Sequence, residues 1–241
     1  MTQVFQRLVD NAPGLLVLLD PGRTDPPEAA RVARAAEEAG VAGLLIGSSF
    51  DGAEHTGVVA EAVKRATSLP LLLFPGGAAQ LTPLVDAVLL LSLVSGRNAQ
   101  YLIDEHVRAV PFFTRHAIEA ISTAYILVDG GCVTAVESVS QTRPLPADKP
   151  EIAAAHAVAA KMIGMSAVYL DAGSGAVTPV SAAIIRAVRT AVSLPLIVGG
   201  GLKTPEQARA ARAAGADLVV VGTAVEAGGP GRIRDFVAAL A

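Results

Sequence analysis

Residues 195–224 read PLIVGGGLKTPEQARAARAAGADLVVVGTA. A short apolar run at 195–199 stops at a row of glycines, an Ala-rich helical pattern occupies 205–214, and a second apolar run at 218–222 stops at Gly222 and Thr223. Strand, helix and strand at this spacing make a βαβ unit, whose two strands lie parallel. Neither run alternates apolar with polar residues, as expected of strands buried on both faces.

The same alternation extends back through the chain. Further strands are expected at 15–20 (LLVLLD), 43–47 (GLLIG), 70–74 (PLLLF), 87–93 (AVLLLSL), 122–128 (STAYILV) and 167–171 (AVYLD), which brings the total to eight. Helical patterns fall at 27–39, 54–66, 98–109, 151–163, 180–192, 205–214 and 230–240. Eight strands with intervening helices predict a closed (β/α)₈ TIM barrel in one domain spanning 1–241. Two segments depart from the repeat. Residues 77–86 (GAAQLTPLVD) contain Gly77 and Pro83 and are expected to be irregular, so the barrel is modified at its third helix. DGG at 129–131 reads as a turn into an extra hairpin strand, CVTAVESVS, before the Pro-rich stretch 143–150.

Composition agrees with this architecture. The 241 residues are 52% hydrophobic but only 4% aromatic, with no Trp, so Ala, Val and Leu do the packing. A net charge of −3 gives no electrostatic reason to expect nucleic acid. The single Cys132 cannot form an internal disulfide, and the first twenty residues lack a secretory pattern; a reducing, cytoplasmic setting is the expectation. No apolar stretch approaches the ~18 residues of a membrane span. The mean hydropathy of +0.50 therefore points to core, with an apolar groove or interface as a further outlet.

In a parallel barrel, chemistry gathers at the C-terminal strand ends. Here the last three carry Gly173-Ser174-Gly175, Gly199-Gly200-Gly201 and Gly222-Thr223. Glycines let the backbone approach a ligand, and the helix N-termini that follow favour an anion. Three such loops side by side predict a phosphate cup. Asp171, two residues before Gly173, is either a general base toward a hydroxyl of the bound phosphate ester or a loop-fixing carboxylate that caps backbone N–H groups. Asp20 and Ser49 end neighbouring strands on the opposite side of the mouth, beside Ser48 and Asp51. They are either hard oxygen ligands for Mg²⁺ or helix-entry residues. Arg97 and Asn98, with Arg23, Arg143 and Lys149, are candidate anion contacts. His55, His106, His116 and His156 read as structural.

Seven segments together carry a resemblance: LFPG (73–76), SLVSGRNAQYLIDEHV (92–107), TAYILVDGG (123–131), RPLPADKPEIAAAHA (143–157), GMSAVYLDAGSGA (164–176), PLIVGGG (195–201) and GADLVVVGTAVE (215–226). The chain resembles the geranylgeranylglyceryl phosphate synthase family over nearly its whole length, closest to the branch that forms larger assemblies. The resemblance implies a Mg²⁺-dependent prenyltransferase that joins sn-glycerol 1-phosphate to an allylic diphosphate, giving an ether-lipid precursor. Asp20 and Ser49 match the family's metal positions. Tyr169, Leu170, Asp171, Ala172, Gly173, Ser174 and Gly175, then Gly200, Gly201, Gly222 and Thr223, match its glycerol phosphate positions. Arg97 and Asn98 are the candidates for the diphosphate. The resemblance also implies a homo-oligomer, hexamer or dimer, and transient contact with a membrane surface as product leaves.

Three positions depart from the family pattern. Asp171 stands where Glu is usual, Gly47-Ser48-Ser49 replaces GGS, and Lys203 takes the place of Arg after VGGG. An altered acceptor is therefore an alternative, as in the related prenyltransferase of phosphoglycolipid antibiotic biosynthesis, which uses 3-phosphoglycerate. A phosphosugar isomerase or lyase on the same cup, or an inactive phosphate binder, are the readings from other classes.

Overall fold

The computed structural model describes residues 3–50 and 52–241, so Asp51 lies outside the described residues. Eight parallel strands close into a barrel in sequence order: β1 (Gly14–Leu19), β2 (Gly43–Ile46), β3 (Leu71–Leu73), β4 (Ala87–Leu93), β5 (Glu119–Leu127), β6 (Ala167–Asp171), β7 (Leu196–Gly199) and β8 (Leu218–Val221), with β8 paired to β1. All eight expected strands are present, each within a few residues of its predicted bounds. The helices are α1 (Gln3–Asp10), α2 (Pro26–Ala39), α3 (Ala53–Ala66), α4 (Glu105–Arg115), α5 (Ala135–Ser140), α6 (Pro150–Met162), α7 (Ala182–Ala191), α8 (Pro205–Ala213), α9 (Thr223–Gly228) and α10 (Ile233–Leu240).

The two-residue period of a strand splits the core into two shells. On β8, Leu218 and Val220 fill the barrel interior, whereas Val219 and Val221 face the helices. On β6, Ala167 and Tyr169 point inward, and Val168 and Leu170 outward. Each of these side chains is nearly or fully buried, worth roughly 1.5–3 kcal/mol apiece for the larger ones. The bottom of the interior is plugged by α1, whose Phe5 and Leu8 join the inner shell. Glu119 at the start of β5 holds this plug by accepting hydrogen bonds from the backbone N–H groups of Val4 (2.9 Å) and Phe5 (3.3 Å) at the helix N-terminus.

Between β3 and β4 there is a single 3₁₀ turn, Ala78–Gln80, as the irregular sequence of 77–86 led us to expect. The segment 132–140 is a correction. It forms no hairpin strand; it forms α5, with Thr134 Oγ1 as the N-cap accepting from the Glu137 N–H. The alternation in TAVESVS imitates a strand, but Thr134 and Glu137 carry the spacing of a helix start, and Val136 and Val139 share a helical face. The helix expected at 98–109 also runs further. It opens with a π-helical segment, Gln100–Asp104, and continues as α4 through Pro111 to Arg115, past the expected end at 109. Among the described residues, no helix is long and apolar enough to cross a membrane.

Candidate active site

The C-terminal mouth of the barrel opens into a cavity. Ser174 and Gly175 after β6, Gly200 and Gly201 after β7, and Gly222 and Thr223 after β8 line one side. The three glycine-bearing loops thus share one cavity. Gly200 shows why the sequence needs glycine here: its φ is +75°, and a Cβ would sit 2.0 Å from Asp171 Oδ1. Other residues of the 169–175 run stand differently. Leu170 and Ala172 pack outward against the helices, and Tyr169 lines the cavity from the inner face of β6, stacked on Phe74 with centroids 4.9 Å apart. Gly173 does not line the cavity; its N–H donates to Asp171 Oδ1 at 2.8 Å.

Asp171 ends β6 on the inward face and is buried, with its carboxylate in the cavity. Oδ2 accepts a hydrogen bond from the Tyr125 O–H on the neighbouring strand β5. Burial pushes the Asp171 carboxyl above the usual carboxylate range, against the opposing pull of the Tyr125 and Gly173 hydrogen bonds. Both sequence readings of this residue find a geometric counterpart: it caps the Gly173 N–H and it also faces the cavity.

The raised value has a consequence for stability. A carboxyl whose folded pKa exceeds its unfolded one favours the fold fully below the unfolded value, and that contribution is lost as pH rises through the folded value. Asp171→Asn should therefore raise the Tm at pH 8 relative to wild type, with a difference that shrinks toward pH 5. Calorimetric melts at the two pH values check this, since the amide still accepts from Gly173.

Across the mouth, Asp20 and Ser49 line the same cavity, with Ser48 beside them. Asp20 Oδ1 accepts from the Gly22 N–H (2.9 Å); Oδ2 accepts from Ser48 Oγ (3.4 Å) and faces Arg23 Nε (3.7 Å). Glu226 of α9 joins this corner: it accepts from the Asp20 N–H and stands 3.9 Å from Arg23 Nη1, and burial raises its carboxyl. Carboxylate and hydroxyl oxygens are a hard donor set suited to Mg²⁺. Among the described residues, no group of three or more acidic, His or Cys side chains could hold a metal on its own. Such a corner fits an ion that takes one or two protein oxygens and fills its shell from phosphates and water.

Arg97 and Asn98 are not brought to the cavity wall. Arg97 is exposed and donates to the carbonyls of Val94 and Gly96, while Asn98 donates to the Ser140 carbonyl and so ties the β4 loop to α5. The structure instead places Lys203 beside Gly201 on the wall, as well as His106, Glu105 and Tyr101. Glu105 accepts from the Ala78 N–H at 2.7 Å, linking α4 to the 3₁₀ turn. The remaining wall is apolar, with Leu81, Leu90, Leu91 and Leu93 around β4, Ala109 on α4, and Val136 and Val139 on α5. Sequence reading missed Tyr125 and Glu226, although YILVDGG and GTAVE both sit at strand ends; His106, read as structural, lies on the cavity wall.

The profile of the PcrB family matches residues 8–240. The chain is 46% identical over 211 residues to the geranylgeranylglyceryl phosphate synthase of Spirosoma linguale, covering 87% of this chain and 84% of that one. It is 42% identical to the same-named protein of Methanopyrus kandleri, covering 92% of each. Its fold superposes with a TM-score of 0.92 on the crystal structure of (S)-3-O-geranylgeranylglyceryl phosphate synthase from Thermoplasma acidophilum in complex with sn-glycerol-1-phosphate, at 32% identity and covering 100% of this chain and 98% of that one. On this match the chain belongs to the PcrB family, together with relatives named geranylgeranylglyceryl phosphate synthase.

Proposed function

We propose that this protein transfers a geranylgeranyl group from an allylic diphosphate to the hydroxyl of sn-glycerol 1-phosphate, forming an ether-lipid precursor, with Mg²⁺ as the cofactor. The observation that carries the reading is one cavity that joins three glycine-bearing loops, a buried carboxylate and a long apolar wall. Small phosphate esters need the first, ether formation the second, and a prenyl chain the third. The kinship to named synthases fits all three.

In this reading the loops after β6, β7 and β8 hold the acceptor phosphate, and Lys203 adds a cation beside them. Asp171 takes the proton of the acceptor hydroxyl as its oxygen bonds to the allylic carbon. The carbon–oxygen bond to the diphosphate breaks, and the electron pair leaves with the diphosphate. When bound, Mg²⁺ neutralises charge on that leaving group. Asp20 and Ser49 would hold the ion, with Glu226 alongside. The apolar side chains of β4, α4 and α5 seat the prenyl chain and exclude water from the allylic carbon.

Acceptor preference tests the assignment. Turnover with sn-glycerol 1-phosphate should exceed that with its enantiomer and with 3-phosphoglycerate. Preference for 3-phosphoglycerate would move the protein to the alternative acceptor class.

The assembly is proposed to be a homo-oligomer. Ile103 of the π-helical segment and Val107 and Val110 of α4 are exposed at spacings of four and three residues, an apolar stripe along the outer surface of α4. Light scattering at micromolar concentration should give a multiple of 24.4 kDa. A monomer there would contradict the proposal. A cytoplasmic location and brief contact with a membrane surface during product release complete the reading.

A further inference from the structure

Tyr125 is a buried titratable residue that the proposed chemistry does not use. It stands on β5, two residues before Leu127, the residue paired in register with Asp171. Its ring is 5% exposed and is held from two sides, by Phe74 at 5.9 Å and Tyr169 at 5.6 Å between centroids. The hydroxyl therefore has little freedom, and it donates to Asp171 Oδ2. The other oxygen is fixed by the Gly173 N–H. A carboxylate with one donor on each oxygen cannot rotate about its own axis without breaking a bond in a buried site, where an unmade bond is costly.

We infer that Tyr125 is a positioning residue for the reaction: its O–H sets the plane of the Asp171 carboxylate and keeps it ionised against the apolar wall. This inference rests on the reading of Asp171 as the base. The phenol itself does not give up its proton, because burial and the adjacent Asp171 push it well above its ordinary value. It remains a donor across the working pH range. The other titratable group facing Asp171 is Tyr169, which the same causes hold protonated. Lys203, Glu105, His106, Asp20 and Glu226 also line the cavity, while the hydrogen bonds to the Asp171 carboxylate come from Tyr125 and Gly173.

Tyr125→Phe keeps the ring packing and removes the donor. A hydrogen bond to a buried carboxylate favours its charged form, so losing it should move the acid limb of the kcat/KM profile upward by about one pH unit. Turnover on the acid side of the limb should fall about tenfold and approach wild type above the shifted limb, with KM for glycerol phosphate nearly unchanged. Incorporating 3-fluorotyrosine at 125, a stronger donor of almost the same volume, should move the limb the other way. This second replacement also answers the question if the Phe variant fails to fold. An unmoved limb in either replacement overturns the inference. In an Asp171→Asn background, Tyr125→Phe should have no further effect on residual turnover, and an additional loss there would mean a merely structural role. If Asp171→Asn alone retains wild-type turnover, it is the base assignment that fails, and the two failures are thereby told apart.

Discussion

Asp171→Asn is expected to lower turnover by about 10²–10⁴-fold, the usual worth of a positioned base. The affinity for glycerol phosphate should change little, because in the proposed reading the glycine-bearing loops hold the phosphate without the carboxylate. The split between kcat and KM follows from where the charge sits: Asp171 ends β6 inside the cavity, and its partners are Tyr125 and Gly173 of the protein itself. Since burial raises the carboxyl, the acid limb of the wild-type pH profile should lie above the ordinary carboxylate range, with activity lost as pH falls through it. Asp171→Glu is the companion experiment. The pocket is tight at this point, with the Gly200 backbone close against Oδ1. If the pocket keeps the family's acceptor and the Asp is merely short, the longer side chain raises the rate. If it has been reshaped around Asp, the added methylene crowds Gly200 and lowers the rate. Steady-state kinetics on both variants decide.

Asp20→Asn should weaken Mg²⁺-dependent binding of the prenyl diphosphate by about 10²-fold, the scale of losing one charged partner at a closely held ion pair. Glycerol phosphate binding should stay nearly intact, since the cup lies on the far side of the mouth. The ion, as proposed, touches only Asp20, its neighbours and the diphosphate. Isothermal titration of each substrate with and without Mg²⁺ separates the cases. Equal loss of both affinities would make Asp20 a structural residue that fixes the β1 loop through Gly22 and Ser48.

Much of this architecture was legible in the sequence because parallel strands buried on both faces leave short, uninterrupted apolar runs such as LVVV and LLL. The glycine-bearing loops at the mouth were legible because the backbone at Gly200 and Gly201, where φ is +75° and +70°, favours glycine. Where the reading failed, two physical signals competed. Thr134–Ser140 alternates like a strand, yet its Thr-x-x-Glu cap starts a helix, and the cap prevailed. The helix expected to end at 109 continues through Pro111 to Arg115. Side-chain direction was the least legible level. Arg97 and Asn98 look like anion contacts because they are polar at a strand end, yet their hydrogen bonds are spent on the backbone of their own surroundings. Tyr125 was hidden for the opposite reason. It sits within an apolar strand, and only the register of β5 against β6 brings its hydroxyl to Asp171. Glu226 reaches Asp20 through the closure of β8 onto β1, a neighbour relation that no local pattern announces.

The most direct test of the account is product formation from radiolabelled geranylgeranyl diphosphate and sn-glycerol 1-phosphate, with and without Mg²⁺. The account predicts a labelled ether phosphate in the presence of Mg²⁺, its loss on chelation, and its return when the ion is restored. Contradiction would be an absence of labelled ether product with Mg²⁺ and both substrates at saturating concentration while the protein remains folded.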